Sequence, residues 1–362
     1  MAGLLERART PLTVSRTDRA KAPAWWRRLA ALAVKLSIGA LIFLFVAEIG
    51  LRVVGLGHPY YSAPEAYLPR DDPELLFGPR PGFQGFSEGT EVVFNSAGLR
   101  DRELPFARPG GSTRILVLGD SVAFGFGVRG EETFSRLLEA RLNAGPGGRY
   151  EVINAGVVGY NTVQERIMLQ DLGLRYEPNL VVLVFVVNDL LDTFSIFDHQ
   201  YQPTGFLAPL KIWLRRNSHV YRFYQNNMWQ IVDDIRKGPN RSEPVRSRER
   251  VAKREWEIVR IAELSRQANA GFLLVLYPDN LYQQVTPDSV GRQVTVREEL
   301  FEFAGLNHLE VLDLSEALGD VRDPRARYLR HREDPHPSPA GHAAIAEALY
   351  DAVSRQFAAF NR

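Results

Sequence analysis

Four short polar segments hold the side chains best suited to moving an acyl group. The stretch ILVLGDSVAFGFG, residues 115–127, sets Asp120 and Ser121 side by side directly after a glycine. Two readings compete for Ser121. It is either a nucleophilic hydroxyl or a turn residue, because strand-to-helix turns favour Gly, Asp and Ser for backbone geometry and capping alone. Acyl transfer needs a nucleophile, a base and fixed donors aimed at the oxyanion. Ser121 offers an oxygen and a backbone N–H. Gly159, in VVGYN, offers a backbone N–H with no side chain to obstruct substrate, and Asn188, in VVND, offers a side-chain amide. Taken singly, Gly159 is more often a turn residue and Asn188 more often a cap.

Histidine is the natural candidate for the base, because its ordinary pKa of about 6.5 lets it take and return a proton near neutrality. Of the seven histidines, His336 stands out, in EDPHPSPAGHAAIAEAL, because acids precede it and a helix follows. Ser338 is placed to cap that helix and Pro339 to occupy its first turn. A carboxylate in such a loop can orient the imidazole and stabilise the imidazolium. His342 falls inside the helix and reads as structural.

The elements that must carry these residues alternate. RILVLGD, YEVINAG, NLVVLVFVVND, GFLLVLYP and LEVLDLS are apolar runs rich in Val, Ile and Leu, as expected of strands covered on both faces. Helical stripes separate them, such as Phe134, Leu137, Leu138 and Leu142, and later Ile345, Leu349, Val353 and Phe357. The predicted fold is a three-layer α/β/α sandwich around a mostly parallel five-stranded sheet, with functional loops at the carboxyl ends of the strands. That arrangement brings Ser121, the Gly159 turn and Asn188 to one rim.

The rest of the chain sets the context. With 362 residues, 45% hydrophobic and 24% charged, it can bury a full core. The absence of cysteine excludes disulfides, thiolate metal sites, a Cys nucleophile and a lipidated Cys anchor. Residues 1–28 form a basic tail with seven Arg or Lys against Glu6 and Asp18, leaving 37 basic and 41 acidic residues beyond it. The bulk of the protein therefore carries no nucleic-acid footprint. Residues 29–51 are long and apolar enough to cross a bilayer, with Lys35 and Glu48 as their only charges and Trp25 and Trp26 suited to the interface. The basic tail puts the N-terminus in the cytoplasm and everything after about residue 55 outside the inner (cytoplasmic) membrane.

Residues 52–112 are rich in Pro and Gly and read as an extended connector with one or two short strands, notably TEVVFN. The following NSAGLRD reads as turn and packing chemistry ahead of a direct catalytic role. The catalytic domain is expected at 113–362. Within it, residues 190–250 exceed what a crossover helix needs. FLAPLKIWLRRNSHVYRFYQNNMWQIV mixes aromatic and basic residues, and suits a core-packing helix pair, a cap over the Ser121 rim or a face resting on a membrane.

The chain resembles the SGNH hydrolases, also called the GDSL esterase/lipase family. It carries GDS at 119–121, NAGVVGYNT at 154–162, VVND at 186–189 and DPHPSPAGH at 334–342, in family order. The resemblance runs from about residue 114 to 357. It implies ester cleavage or acyl transfer with Ser121 as nucleophile and first oxyanion donor, Gly159 and Asn188 as the other donors, and His336 as base. It implies no metal and no organic cofactor. Two departures stand out. Val186 replaces the usual glycine of the third block, and the acid lies two residues before the histidine, at Asp334, where the commoner spacing would choose Glu333. Asp334 is the expected acid, because Asp-x-His occurs in relatives acting on polysaccharide acetyl groups and a shorter acid fits a tight loop.

The expected protein is a single-pass, membrane-anchored extracytoplasmic serine esterase. Its expected substrate is an acyl ester, such as acetyl, of envelope polysaccharide or lipid, with envelope-biosynthesis proteins as candidate partners. An O-acyltransferase of the same fold, or a catalytically silent assembly protein, is the alternative.

Overall fold

The computed structural model describes residues 24–57, 62–145, 149–191, 193, 205–225, 227, 248–278, 286–287, 293–294, 296–319, 329–331 and 334–360. Two compact units divide it, residues 1–50 and 51–362. The first is dominated by helix α1 (Ala24–Val54), 31 residues long and buried nowhere along its apolar stretch. At 1.5 Å per residue it spans about 46 Å, more than a bilayer's hydrocarbon core of about 30 Å. Its length and composition suit a membrane span or a signal sequence.

The second unit opens with two hairpins, β1 (Tyr67–Pro69) with β2 (Phe77–Pro79) and β3 (Gln84–Ser87) with β4 (Thr90–Val93). The central sheet follows: β5 (Ser112–Gly119), β6 (Arg149–Asn154), β7 (Leu180–Phe185), β8 (Gly271–Leu276) and, after the small pair β9 (Thr286–Pro287) and β10 (Gln293–Val294), β11 (Glu310–Asp313). Its spatial order is β11-β8-β7-β5-β6, and every pairing is parallel. In order of appearance this is 2-1-3-4-5, so the strand order reverses beside β5, where open α/β sheets form their ligand crevice.

Alternate strand residues feed two apolar clusters, one on each face. Ile115, Val117, Val182 and Val184 pack with helices α3 (Phe134–Leu142) and α9 (Pro339–Phe360). Leu116, Leu118, Val181 and Leu183 pack with α4 (Thr162–Asp171), α6 (Arg248–Gln267) and α7 (Val296–Leu306). The strands are buried on both faces, which is why they read as unbroken Val/Ile/Leu runs rather than alternating ones. The short helix α2 (Ser121–Phe124) follows β5, α5 (Ala208–Asn217) lies in the long insertion, and α8 (Ser315–Leu318) follows β11. The antiparallel pair β12 (Leu329–His331) and β13 (Asp334–Pro337) leads into α9.

The Pro- and Gly-rich connector is folded onto this body. Phe77, Val92, Phe94 and Leu99 are buried in the same cluster as Leu116 and Leu118. Its proline and glycine content reflects tight hairpin turns, while its aromatic residues are spent on the core.

Candidate active site

Ser121 is the first residue of α2, and Asp120 caps that helix: its Oδ1 accepts from the Val122 N–H at 2.8 Å. The Ser121 N–H, at the helix start, has no intrahelical acceptor and is available to a ligand. The residue is 8% exposed and so nearly buried at the end of the strand. Its Oγ lies 2.7 Å from His336 Nε2 and 3.3 Å from Asp120 Oδ2. A hydroxyl has one proton to donate, and the shorter contact takes it when Nε2 carries no proton. The imidazole is held from its face by Phe126, whose ring stacks on it at 4.3 Å. Chain order puts nucleophile and base 215 residues apart, joined here because β13, which carries His336, lies against the short helix that begins at Ser121.

The third block forms a 3₁₀ turn, Val187–Leu190. Asn188 Nδ2 donates to Asp120 Oδ2 at 2.9 Å, which leaves the second amide hydrogen for another acceptor. Val186, where the family resemblance leads one to expect glycine, sits at φ −117°, extended backbone open to any residue, and its N–H donates to Asp189 Oδ2 at 2.9 Å. Valine therefore imposes no backbone strain at this position.

In the second block, Gly159 lies in the turn after β6 with φ +81°. Gly156 solves a different problem. A Cβ there would lie 2.3 Å from Phe124 N and 2.6 Å from Ala123 C, so only glycine lets this segment lie against α2. Asn161 joins the second and third blocks: its Oδ1 caps α4 and its Nδ2 donates to Leu191 O and Thr193 Oγ1. From the opposite side, Arg254 of α6 donates to the same Leu191 carbonyl at 2.5 Å.

Ser121 and His336 are thus brought into direct contact, Asn188 joins them through Asp120, and Gly159 lies in the turn after β6. Asp334 lies on β13 opposite His331. Its side chain, and Glu333 altogether, fall outside the described residues, so the choice between the two acids does too. His342 is fully buried, accepts from the Phe134 N–H at 3.2 Å and is pushed by burial down to a pKa of about 3, which keeps it neutral.

Buried charged residues surround the site; Arg100 and Asp101 lie in NSAGLRD, read above as turn and packing chemistry, whereas nothing in the sequence marks Glu88, Glu165 and Arg254. Arg100, in NSAGLRD, donates to Phe124 O, Gly125 O and Val128 O, and so closes the carbonyl end of the nucleophile turn. Asp101 accepts from the Asn154 N–H, and burial raises its pKa to about 6. Behind the oxyanion side, Glu165 and Asp189 are buried next to Asp120. Burial first, and the neighbouring carboxylates second, drive both well above the usual carboxylate range. Glu88, buried in the turn between β3 and β4, accepts from Ser62 Oγ and Tyr67 OH, and burial raises it as well. In one dimension Glu165, flanked by Gln164 and Arg166, reads as part of a polar helix face.

A parallel sheet with a serine on the turn after its first strand and a histidine within hydrogen-bond reach defines an α/β serine hydrolase-like protein. The match is more particular than that. The model of the GDSL-like Lipase/Acylhydrolase family matches residues 117–344, and the chain belongs to that family. A comparison with curated proteins found no match. Among solved structures, the chain is similar to TesA, at 16% identity over 66% of this chain and 97% of that one, with a TM-score of 0.40. It is similar to the psychrotrophic esterase EstA from Pseudoalteromonas sp., at 17% identity over 68% and 99%, TM-score 0.41. It is also similar to the acetyl xylan esterase AlAXEase, at 18% identity over 66% and 99%, TM-score 0.40.

Proposed function

We propose that this protein is a membrane-anchored serine esterase whose catalytic domain faces the extracytoplasmic side and cleaves acyl esters, acetyl among them, on envelope polysaccharide or lipid. The observation that carries the chemistry is the 2.7 Å contact between Ser121 Oγ and His336 Nε2. In this reading Ser121 Oγ attacks the ester carbonyl while Nε2 takes its proton. The oxyanion meets the N–H groups of Ser121 and Gly159 and the Asn188 amide, whose orientation is set by its bond to Asp120. His336 returns the proton to the leaving alcohol, and water or a second alcohol then releases the acyl group by the reverse steps. Asp334 is the proposed acid behind the imidazole. The anchor rests on α1 and the charge asymmetry around it.

The test uses the full-length chain in detergent micelles with nitrophenyl acetate and longer acyl esters. Turnover is expected, along with fluorophosphonate labelling at Ser121, and Ser121→Ala should lower the rate by several orders of magnitude while leaving the melting temperature in place. Labelling at another serine with Ser121 unmodified overturns the assignment. Adding deacylated glycan distinguishes the outcomes of the second step: acyl transfer to the glycan in place of free acid would make the protein an O-acyltransferase.

A further inference from the structure

Helix α5 carries its apolar residues on the wrong side for a core helix. At about 100° per residue, Leu210, Trp213 and Asn217 share one stripe, and Phe206 precedes it just before the helix starts. Phe206, Leu210 and Trp213 are 92%, 51% and 59% exposed. Ile212 points the opposite way and packs against the core, so the helix is already docked on its own domain by the other face. Lys211 and Arg216 stand on either flank of the exposed stripe. The Arg216 guanidinium lies 4.4 Å from the Phe86 ring centroid. An apolar stripe with an aromatic residue, bordered by basic side chains, is the pattern of a helix lying in the plane of a lipid interface.

The position of α5 along the chain supplies the second argument. Its C-terminal end is fastened to residues 52–57, which follow the apolar span directly. Arg52 donates to Asn217 O at 3.2 Å, and His219 Nδ1 donates to Leu56 O at 2.8 Å. At Gly57 the backbones are so close that an added Cβ would lie 2.3 Å from His219 O. If α1 anchors the chain, residues 52–57 emerge at the membrane surface, and α5 is held to that exit point.

We infer that α5 is an interfacial helix that lays Phe206, Leu210 and Trp213 into the headgroup region of the membrane α1 crosses, with Lys211 meeting anionic headgroups and Arg216 bracing the helix on Phe86. This rests on the anchored reading given above and adds a second membrane contact. One anchor leaves a domain free to tumble on its tether, whereas two fix which face it turns to the surface. The consequence for the same site is a preferred approach for substrates carried in or just above the bilayer.

The chain has no cysteine, so single-cysteine variants of the full-length protein can be spin-labelled without background. Leu210→Cys, Trp213→Cys, Leu41→Cys in α1 and Glu347→Cys on α9 are reconstituted in phosphatidylcholine vesicles with and without phosphatidylglycerol. Collision with oxygen, which concentrates in lipid, is measured against collision with a water-soluble nickel chelate. Labels at 210 and 213 should show a several-fold higher oxygen-to-nickel ratio than the label at 347, rising further with phosphatidylglycerol, while 41 shows the highest. A nickel-accessible label at 210 and 213 with 41 in lipid overturns the inference and leaves the anchor standing. Protection of 210 and 213 from both reagents also overturns it, because a protein surface or a second copy then covers the stripe. A nickel-accessible label at 41 overturns the anchored reading itself.

Discussion

Asp120 touches three groups of the site, and the distances rank its duties. Its Oδ1 accepts the Val122 N–H at 2.8 Å and its Oδ2 the Asn188 amide at 2.9 Å, both shorter than its 3.3 Å approach to Ser121 Oγ. Asp120 therefore aims the Asn188 donor more than it polarises the serine. Asn188→Ala should lower kcat for a soluble acetyl ester by about 10²- to 10³-fold with little change in KM, because the lost donor acts on charge that develops only in the transition state. An equal loss from KM alone would move Asn188 to ground-state binding. The acid is the second residue-scale question. Asp334→Asn is expected to cut kcat sharply and Glu333→Gln to stay within a fewfold of the parent; the reverse ranking would assign the role to Glu333. Ser121 and Asn188 could be placed on one rim in advance because parallel strands end together, so polar residues after apolar runs converge; His336 is singled out by the acids before it and the helix after it, and the structure sets it on an antiparallel pair outside that sheet. Glu165 and Arg254 were not legible, because charge in one dimension reads as surface, and the carbonyls and carboxylates that accept or oppose it come from distant elements.

At the scale of elements, the nucleophile turn is clamped from two directions. Gly156 lets the second block press against α2, and Arg100 holds the carbonyls at the far end of the turn. Gly156→Ala would put a methyl group inside the α2 backbone, and neither side is a flexible side chain that can swing away. Destabilisation of roughly 1–3 kcal/mol is expected, typical of overpacking in a tight core. The same displacement of Ser121 should lower kcat more than it lowers the melting temperature would suggest. A variant with parental stability and rate would show that the segment relaxes without moving the nucleophile. The five strands and the flanking helices α3 and α9 were readable from periodicity. The connector was less so: its hairpins bury Phe77 and Phe94 against Leu118 and Phe124, and short strands with frequent turns leave too few residues for a periodic signal.

For the whole molecule, buried His342 and the buried carboxylates, Asp101 among them, make stability depend on pH in opposite senses. His342 is depressed to about 3 when folded, against about 6.5 unfolded, so its contribution is intact above pH 6.5 and is lost as pH falls toward 3. Asp101 is raised to about 6 from about 3.9, so its contribution is present below pH 3.9 and is lost as pH rises through 6. Each is worth at most about 3 kcal/mol between pH 4 and 7, and they offset one another. Melting temperatures across that range should fall less steeply on acidification in His342→Gln and more steeply in Asp101→Asn than in the parent. Parallel curves for all three would refute both assignments. The Leu191 carbonyl has a wider bearing. Asn161 and Arg254 grip it from two sides, so the chain leaving the third block and the helix that resumes the sheet share one fastening point. Lengthening the segment rooted there adds a closure cost that grows only with the logarithm of its length, and leaves Asn188 where it is. The oxyanion side is thereby insulated from its neighbour in sequence: what happens beyond Leu191 reaches Asn188 only through a carbonyl that two side chains already hold.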